Sequence, residues 1–388
     1  MVFEVVLALI GLYMILSFVL LRNPQLLYKR RTPAFKAAMI CHRGGELRLI
    51  SRLQYVFMVG SGEFLENTMD AFSGYAISSP LPLNTPRCVE LGCDLIELDC
   101  QLTKDDQVVV SHDNDLSRGT GKNVRVSDLD FNDLPEYSAS VKVQFGFGEE
   151  YHAKPGASRR IPLLRSVFEA FPTVPINIDV KVDNDLLVRK ISDMIKEFNR
   201  EELTVWGSFS DLVNKKCRSE NPRIPTFFPI KEVLWIVVMY YVGLLPFLPI
   251  KDDFFEIPLI RNFFRMPNVV QYLTSWISAY LSVSQHSFAG QFSPLSKHRM
   301  LLSFRVLMSP KLFAHLKARG IPVFIWVCNT TEDFDRAFAA GGQGVVTDYP
   351  SRLVVYLNQH PEIDRGLFTK LKTDGVARRL AIPGQKSQ

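Results

Sequence analysis

No CxxC pair occurs among the six cysteines, at positions 41, 88, 93, 100, 217 and 328. Without that spacing a zinc cluster built from Cys88, Cys93 and Cys100 has little support, and a disulfide framework has none. Several of these cysteines sit inside apolar, strand-like runs where a thiol acts as a small hydrophobe, so free thiols are expected. Charge of one sign is also scarce: the net charge is +5 on 22% charged residues. That gives no nucleic-acid-binding surface and only a mild preference for anionic surfaces such as lipid headgroups. Polar excess is lacking too, since 47% of the 388 residues are hydrophobic. Such a chain can fill the core of one large domain, and global disorder is not its default.

Two segments lack charge almost completely. Residues 2–21 contain only Glu4, and Arg22, Lys29, Arg30, Arg31 and Lys36 follow. The length matches what a helix needs to cross a bilayer, so residues 1–22 are expected to anchor the protein, with 23–36 as a basic linker. A cleaved signal would carry its basic residues first, and here they come last. The positive-inside rule puts the basic flank and the following domain on the cytosolic side. Residues 233–250 contain no charge at all. A second span there would separate the two halves of any single domain. A segment lying in the membrane surface near the substrate mouth is therefore preferred over a span, and a buried core helix remains open. Trp235, Tyr240, Tyr241, Phe254 and Phe255 suit such an interface.

What is present is an ordered series of polar clusters at the ends of apolar runs. Residues 37–41 lead into His42-Arg43-Gly44-Gly45, Leu95-Ile96 into Glu97-Leu98-Asp99, 108–110 into His112-Asp113, and 175–178 into Asp179-Val180-Lys181. Buried strands that deliver polar residues at their ends are how barrel enzymes build sites. Further strands are expected at 203–206, 224–228, 321–328 and 344–347, and helices at 164–171, 185–198, 310–319 and 331–340. The alternation predicts an α/β fold with a parallel sheet, closed as a (β/α)8 barrel over 37–357, and a polar tail over 358–388.

The chemistry follows from residue type. Glu97 and Asp99, two apart on a strand, share a face and offer hard oxygens to one divalent cation, Mg2+ or Ca2+. Such a cation, with Arg43 and Lys181, would balance the charge that grows on an attacked phosphodiester. Two histidines, His42 and His112, would divide the proton transfers. Each residue alone is more often an ordinary salt-bridged or core side chain. Their ordered combination points to a phosphodiester site. His152, His286, His298, His315 and His360 lack such a setting and are read as surface or loop residues, and Asp105-Asp106 as an exposed turn.

These clusters, with Glu66-Asn67-Thr68, Leu102-Thr103-Lys104-Asp105 and the run from Gly344 to Tyr349-Pro350, make the chain resemble the glycerophosphodiester phosphodiesterase family, a TIM-barrel group. The anchor and the uncharged segment make it similar to the membrane-anchored lysophospholipase D branch. The resemblance implies His42 and His112 as the acid/base pair, Arg43 and Lys181 as phosphate contacts, and Glu97, Asp99 and Asp179 as ligands of one divalent cation. Asp179 stands where the family usually has Glu. His112 is alternatively a ligand, and Glu66 either a ligand or an orienting group. Trp326 matches an aromatic of the family's substrate pocket, with core packing as the equal alternative. The implied substrate is a lysophospholipid, cleaved to lysophosphatidic acid and choline or ethanolamine after attack by the free glycerol hydroxyl. Membrane lipid is then the other implied partner. The implied location is an intracellular membrane, endoplasmic reticulum or perinuclear, with a single pass or a single pass plus a membrane-embedded segment. Two departures, the additions at 46–63 and 78–87, lie beside catalytic elements and would act as a substrate lid or spoil the site. The alternatives are an enzyme for soluble glycerophosphodiesters and an inactive isoform that binds lipid or partners.

Overall fold

The computed structural model describes residues 1–33, 35–44, 65–73, 94–142, 150–153, 156–265 and 306–364. The additions at 46–63 and 78–87, Cys88, Cys93, His286, His298 and the tail from 365 lie outside them.

Short, nearly all-buried runs form parallel strands, as expected of a sheet covered on both faces. They are β1 (Met39–Cys41), β2 (Leu95–Leu102), β6 (Ile176–Val180), β7 (Thr204–Gly207), β8 (Phe255–Pro258), β9 (Val323–Trp326) and β10 (Gly344–Thr347). Their order is β7-β6-β2-β1-β10-β9-β8. The gap between the two edges is bridged by residues 226–227, where Thr226 pairs with Trp206 and Phe227 with Phe254, both parallel. With this eighth position the sheet closes into a TIM barrel. β3 (Val108–Val110) lies off the ring, antiparallel to β2. β4 (Ser140–Lys142) and β5 (Glu150–His152) form a separate hairpin.

Helices follow the strands and turn one apolar face inward. α1 (Val2–Arg22) stands apart from them. α2 (Leu164–Ala170), α3 (Asp185–Glu197), α4 (Asp211–Glu220), α5 (Ile230–Tyr241), α6 (Pro310–Ala318), α7 (Thr331–Ala339) and α8 (Pro350–Gln359) lie between or after strands. Asn184 accepts from Leu186 N–H and Leu187 N–H, which caps α3, and Ser309 and Thr330 cap α6 and α7 in the same way. Leu187, Val188, Ile191 and Ile195 then bury the inner face of α3.

Three expectations are corrected. Phe254 and Phe255 are fully buried at and beside β8; they are barrel residues, because an aromatic pair suits a strand core as well as an interface. His315 is buried and its Nδ1 lies 3.0 Å from the Leu21 carbonyl, because the end of α1 covers α6, a contact no local pattern reveals. Cys100, Cys217 and Cys328 are free and buried, but Cys41 is disulfide-bonded; the absence of paired spacing does not prevent a bridge between distant positions. The uncharged segment 233–250 contains most of α5, a barrel helix whose Val233, Ile236, Val237 and Met239 enter the core.

α1 is long and apolar enough to cross a membrane and is mostly exposed. Its C-terminal half is fixed to the barrel. The Ser17 hydroxyl donates to the Gly243 carbonyl at 2.8 Å and the Tyr13 hydroxyl to that of Val242, and just past the helix the Gln25 amide donates to the carbonyl of Ala318.

Candidate active site

The site lies at the carboxyl ends of the strands. β1 ends at Cys41 and releases His42 and Arg43 into a short turn in which Arg43 adopts a left-handed backbone, φ +50. A non-glycine residue held there costs about 1–3 kcal/mol and marks a position fixed by its surroundings. Here the turn aims the Arg43 N–H at Glu97, which accepts at 3.0 Å, and its carbonyl at Asn67 N–H, 2.8 Å away.

The register of β2 and β6 sets the carboxylates. Asp99 pairs with Asp179 and Glu97 with Asn177. Because side chains alternate, these four share one side of the sheet. Lys181 Nζ lies 2.8 Å from Asp99 and also pairs with Asp179. Arg43 sits 2.9 Å from Glu66 and 3.3 Å from Asp99. Asn67 donates to Asp99 at 2.9 Å. Arg118, which the sequence reading overlooked, binds Glu66 and Asp113.

Each histidine is held by an aspartate at Nδ1: His42 by Asp348 at 2.6 Å, and His112 by Asp113 at 2.6 Å. The other nitrogen of His42 faces Glu97, 3.9 Å away. Asp348 is itself fixed, since Asn329 donates to it at 2.8 Å and accepts from its N–H, and Tyr151 of β5 hydrogen-bonds it. Asp348 lies in the Thr347-Asp348-Tyr349 run already noted, but its link to a residue 306 positions away leaves no local signal. Asn329 was not anticipated.

The surroundings push these groups apart. Burial alone would lower the His42 pKa, but the neighbouring Asp348 outweighs it and the net shift is upward. Burial, with the Arg43 and Lys181 charges, brings His112 down to about 4. Burial and the adjacent Asp99 raise Glu97 to about 7. Burial also raises Asp179. Asp99 goes down despite its burial, chiefly because of Lys181.

The sequence-predicted His42, Arg43, Glu66, Glu97, Asp99, His112, Asp179 and Lys181 therefore form one connected cluster. Trp326 stands at the end of β9, half-buried, with its ring centroid 5.4 Å from that of Phe209. Glu66 meets Arg43 and Arg118.

A hard divalent cation suits the donor set. Three carboxylates come from adjacent strands, two of them shifted upward, and Asn67 Oδ1 is buried with no hydrogen-bond partner among the described residues. Among the described residues, no three acidic, histidine or cysteine side chains already surround a common point. Asp99 and Asp179 are bridged by the Lys181 ammonium instead.

The Glycerophosphoryl diester phosphodiesterase family profile matches residues 42–232. The chain is similar to lysophospholipase D GDPD1 of Homo sapiens, 41% identical over 349 residues that cover 90% of this chain and 95% of the relative. It is similar to lysophospholipase D GDPD3 of Homo sapiens, 36% identical over 351 residues covering 90% and 94%. In structure it resembles a glycerophosphoryl diester phosphodiesterase homologue from Silicibacter pomeroyi, with a TM-score of 0.52 and 17% identity, covering 87% of this chain and 98% of that one. The last likeness speaks to the fold, and the sequence relatives speak to descent: the chain belongs to the glycerophosphoryl diester phosphodiesterase family.

Proposed function

We propose that this phosphoric diester hydrolase acts on lysoglycerophospholipids, releasing lysophosphatidic acid and a head-group alcohol such as choline or ethanolamine. The observation that carries the chemistry is the pair of aspartate-held histidines flanking one buried cluster of carboxylates and cations, with their pKa values moved in opposite directions. Two like groups driven apart divide the acid and base roles between them. His112, kept neutral, takes the proton of the attacking hydroxyl, which on the cyclic-phosphate route is the substrate's own glycerol hydroxyl. His42, kept protonated, gives a proton to the leaving alcohol oxygen. On that route water then opens the cyclic phosphate to lysophosphatidic acid, giving its proton to the now neutral His42 while His112, now protonated, returns one to the glycerol oxygen. Arg43 and Lys181 hold the phosphate oxygens, and Glu66 and Arg118 keep Arg43 in place.

Glu97, Asp99 and Asp179 would hold one divalent cation, Mg2+ or Ca2+, with Lys181 released toward substrate. When bound, such an ion supplies positive charge against the phosphate oxygens. Support for a lipid substrate comes from the relatives' names and from α1, which would tether the barrel at a membrane such as the endoplasmic reticulum.

The test is release of choline and lysophosphatidic acid from lysophosphatidylcholine by the detergent-purified chain, with Mg2+, Ca2+ or chelator. Metal-dependent release that drops roughly 100-fold or more in His42→Ala is expected, the scale of losing a positioned acid. Release that is equal in the variant, or absent with every metal, overturns the reading.

A further inference from the structure

α5 is two-sided. Its inner residues enter the core, while Leu234, Trp235, Val238 and Tyr241 face outward, 40–53% exposed, and Val242 and Leu244 extend the strip. These positions fall at helical spacing on one side. Lys231 and Glu232 stand at the end nearest the strands' carboxyl termini. A shallow cavity of about 340 Å³ opens there, walled by Lys231, Glu232, Leu234, Trp235 and Val238.

The turn that ends this helix has unusual backbone partners. The carbonyls of Val242, Gly243 and Phe247 accept from the hydroxyls of Tyr13, Ser17 and Tyr28. Carbonyls at a helix end in water can be satisfied by solvent as well as by side chains or a tighter last turn. In lipid they must find protein donors, which is what α1 and its linker supply. The fit is close: Gly243 has φ +80, and a Cβ there would lie 2.3 Å from Ser17 Oγ.

We propose that the outer face of α5 is seated in the lipid bilayer beside α1, with acyl chains against Leu234, Trp235, Val238 and Tyr241. Continuity decides for lipid over a second protein, because the strip ends at Val242 and the adjoining Gly243, whose carbonyls bind Tyr13 and Ser17 of the helix that is long and apolar enough to span. Trp235 and Tyr241 are residue types that favour the boundary between hydrocarbon and headgroups, and Lys231 can keep its ammonium among the headgroups. The barrel is then held at two places and cannot swing freely about its tether. The inference rests on the membrane attachment proposed above.

The test uses the full chain in nanodiscs of phosphatidylcholine, with plain or brominated acyl chains. Tryptophan emission is compared between the natural chain and Trp235→Phe, whose thermal unfolding is checked for an unchanged midpoint. The emission difference between the two proteins isolates Trp235. Strong quenching of that difference by brominated lipid is expected. A difference untouched by bromine and quenched by aqueous acrylamide puts α5 in water and overturns the proposal. A difference untouched by either means that protein covers the face, which also overturns it. An alkaline wash reads the other layer independently, since release of the chain from membranes removes the spanning role of α1 whatever Trp235 reports.

Discussion

His42 and His112 carry the same ring, yet their neighbours hold them on opposite sides of the ordinary imidazole value. His42 faces Asp348, and its pKa is raised; His112 lies among Arg43 and Lys181, and burial with those charges brings it to about 4. The sign for activity follows. The acid is competent below its raised pKa and fails as pH rises through it, so the alkaline limb of kcat/KM should lie above the usual imidazole range. Asp348→Asn removes the charge that favours protonated His42. We expect that limb to move toward lower pH and kcat to fall about 10- to 100-fold, with a smaller change in KM. A fall in kcat with an unmoved limb would show that Asp348 supports the fold and not the proton. The clusters at His42, Glu97, His112 and Asp179 were legible because each follows an apolar run. Asp348's role was not, since it depends on a partner across the barrel and on Asn329, whose own segment carries no catalytic pattern.

Elements were legible where local pattern and tertiary context agree. The helices beginning at Leu164, Asp185, Pro310 and Thr331 and the strands at 39–41, 95–102 and 344–347 fall where apolar spacing put them. β8 was missed because Phe254 and Phe255, just past the uncharged segment 233–250, read equally well as part of a membrane surface. The seating of the N-terminal segment on the barrel was also illegible, and it explains His315. Its tightest point is Gly320, with φ +81, where a Cβ would lie 2.0 Å from the Arg31 carbonyl oxygen. Arg31 N–H donates to the Arg319 carbonyl at 3.0 Å, and its guanidinium binds Asp253 and the carbonyl of Ile250. Since the clash is with backbone, no side chain can swing away. Gly320→Ala should cost about 2–3 kcal/mol through strain and a lost seat for the linker. Thermal unfolding in detergent measures this, and a midpoint equal to the natural chain's would mean that the linker does not bear on the barrel.

A barrel held at a membrane by α1, as proposed above, meets its substrate differently from a free enzyme. Lysophospholipids partition into micelles and bilayers, so an enzyme held at that surface samples substrate by its density there and not by its amount in bulk. The net charge of +5 is too small to draw anionic substrates from a distance at physiological salt, and the proposed tether would raise the local concentration instead. In mixed micelles the rate should therefore follow the mole fraction of lysophosphatidylcholine: adding inert detergent at fixed total substrate slows turnover, and adding substrate and detergent together leaves it nearly constant. Soluble glycerophosphocholine, with no acyl chain to bring it to the surface, should compete weakly at equal concentration. A rate indifferent to dilution of the surface, with glycerophosphocholine an equal competitor, would separate the barrel's chemistry from its membrane seat and return the substrate to the soluble glycerophosphodiesters.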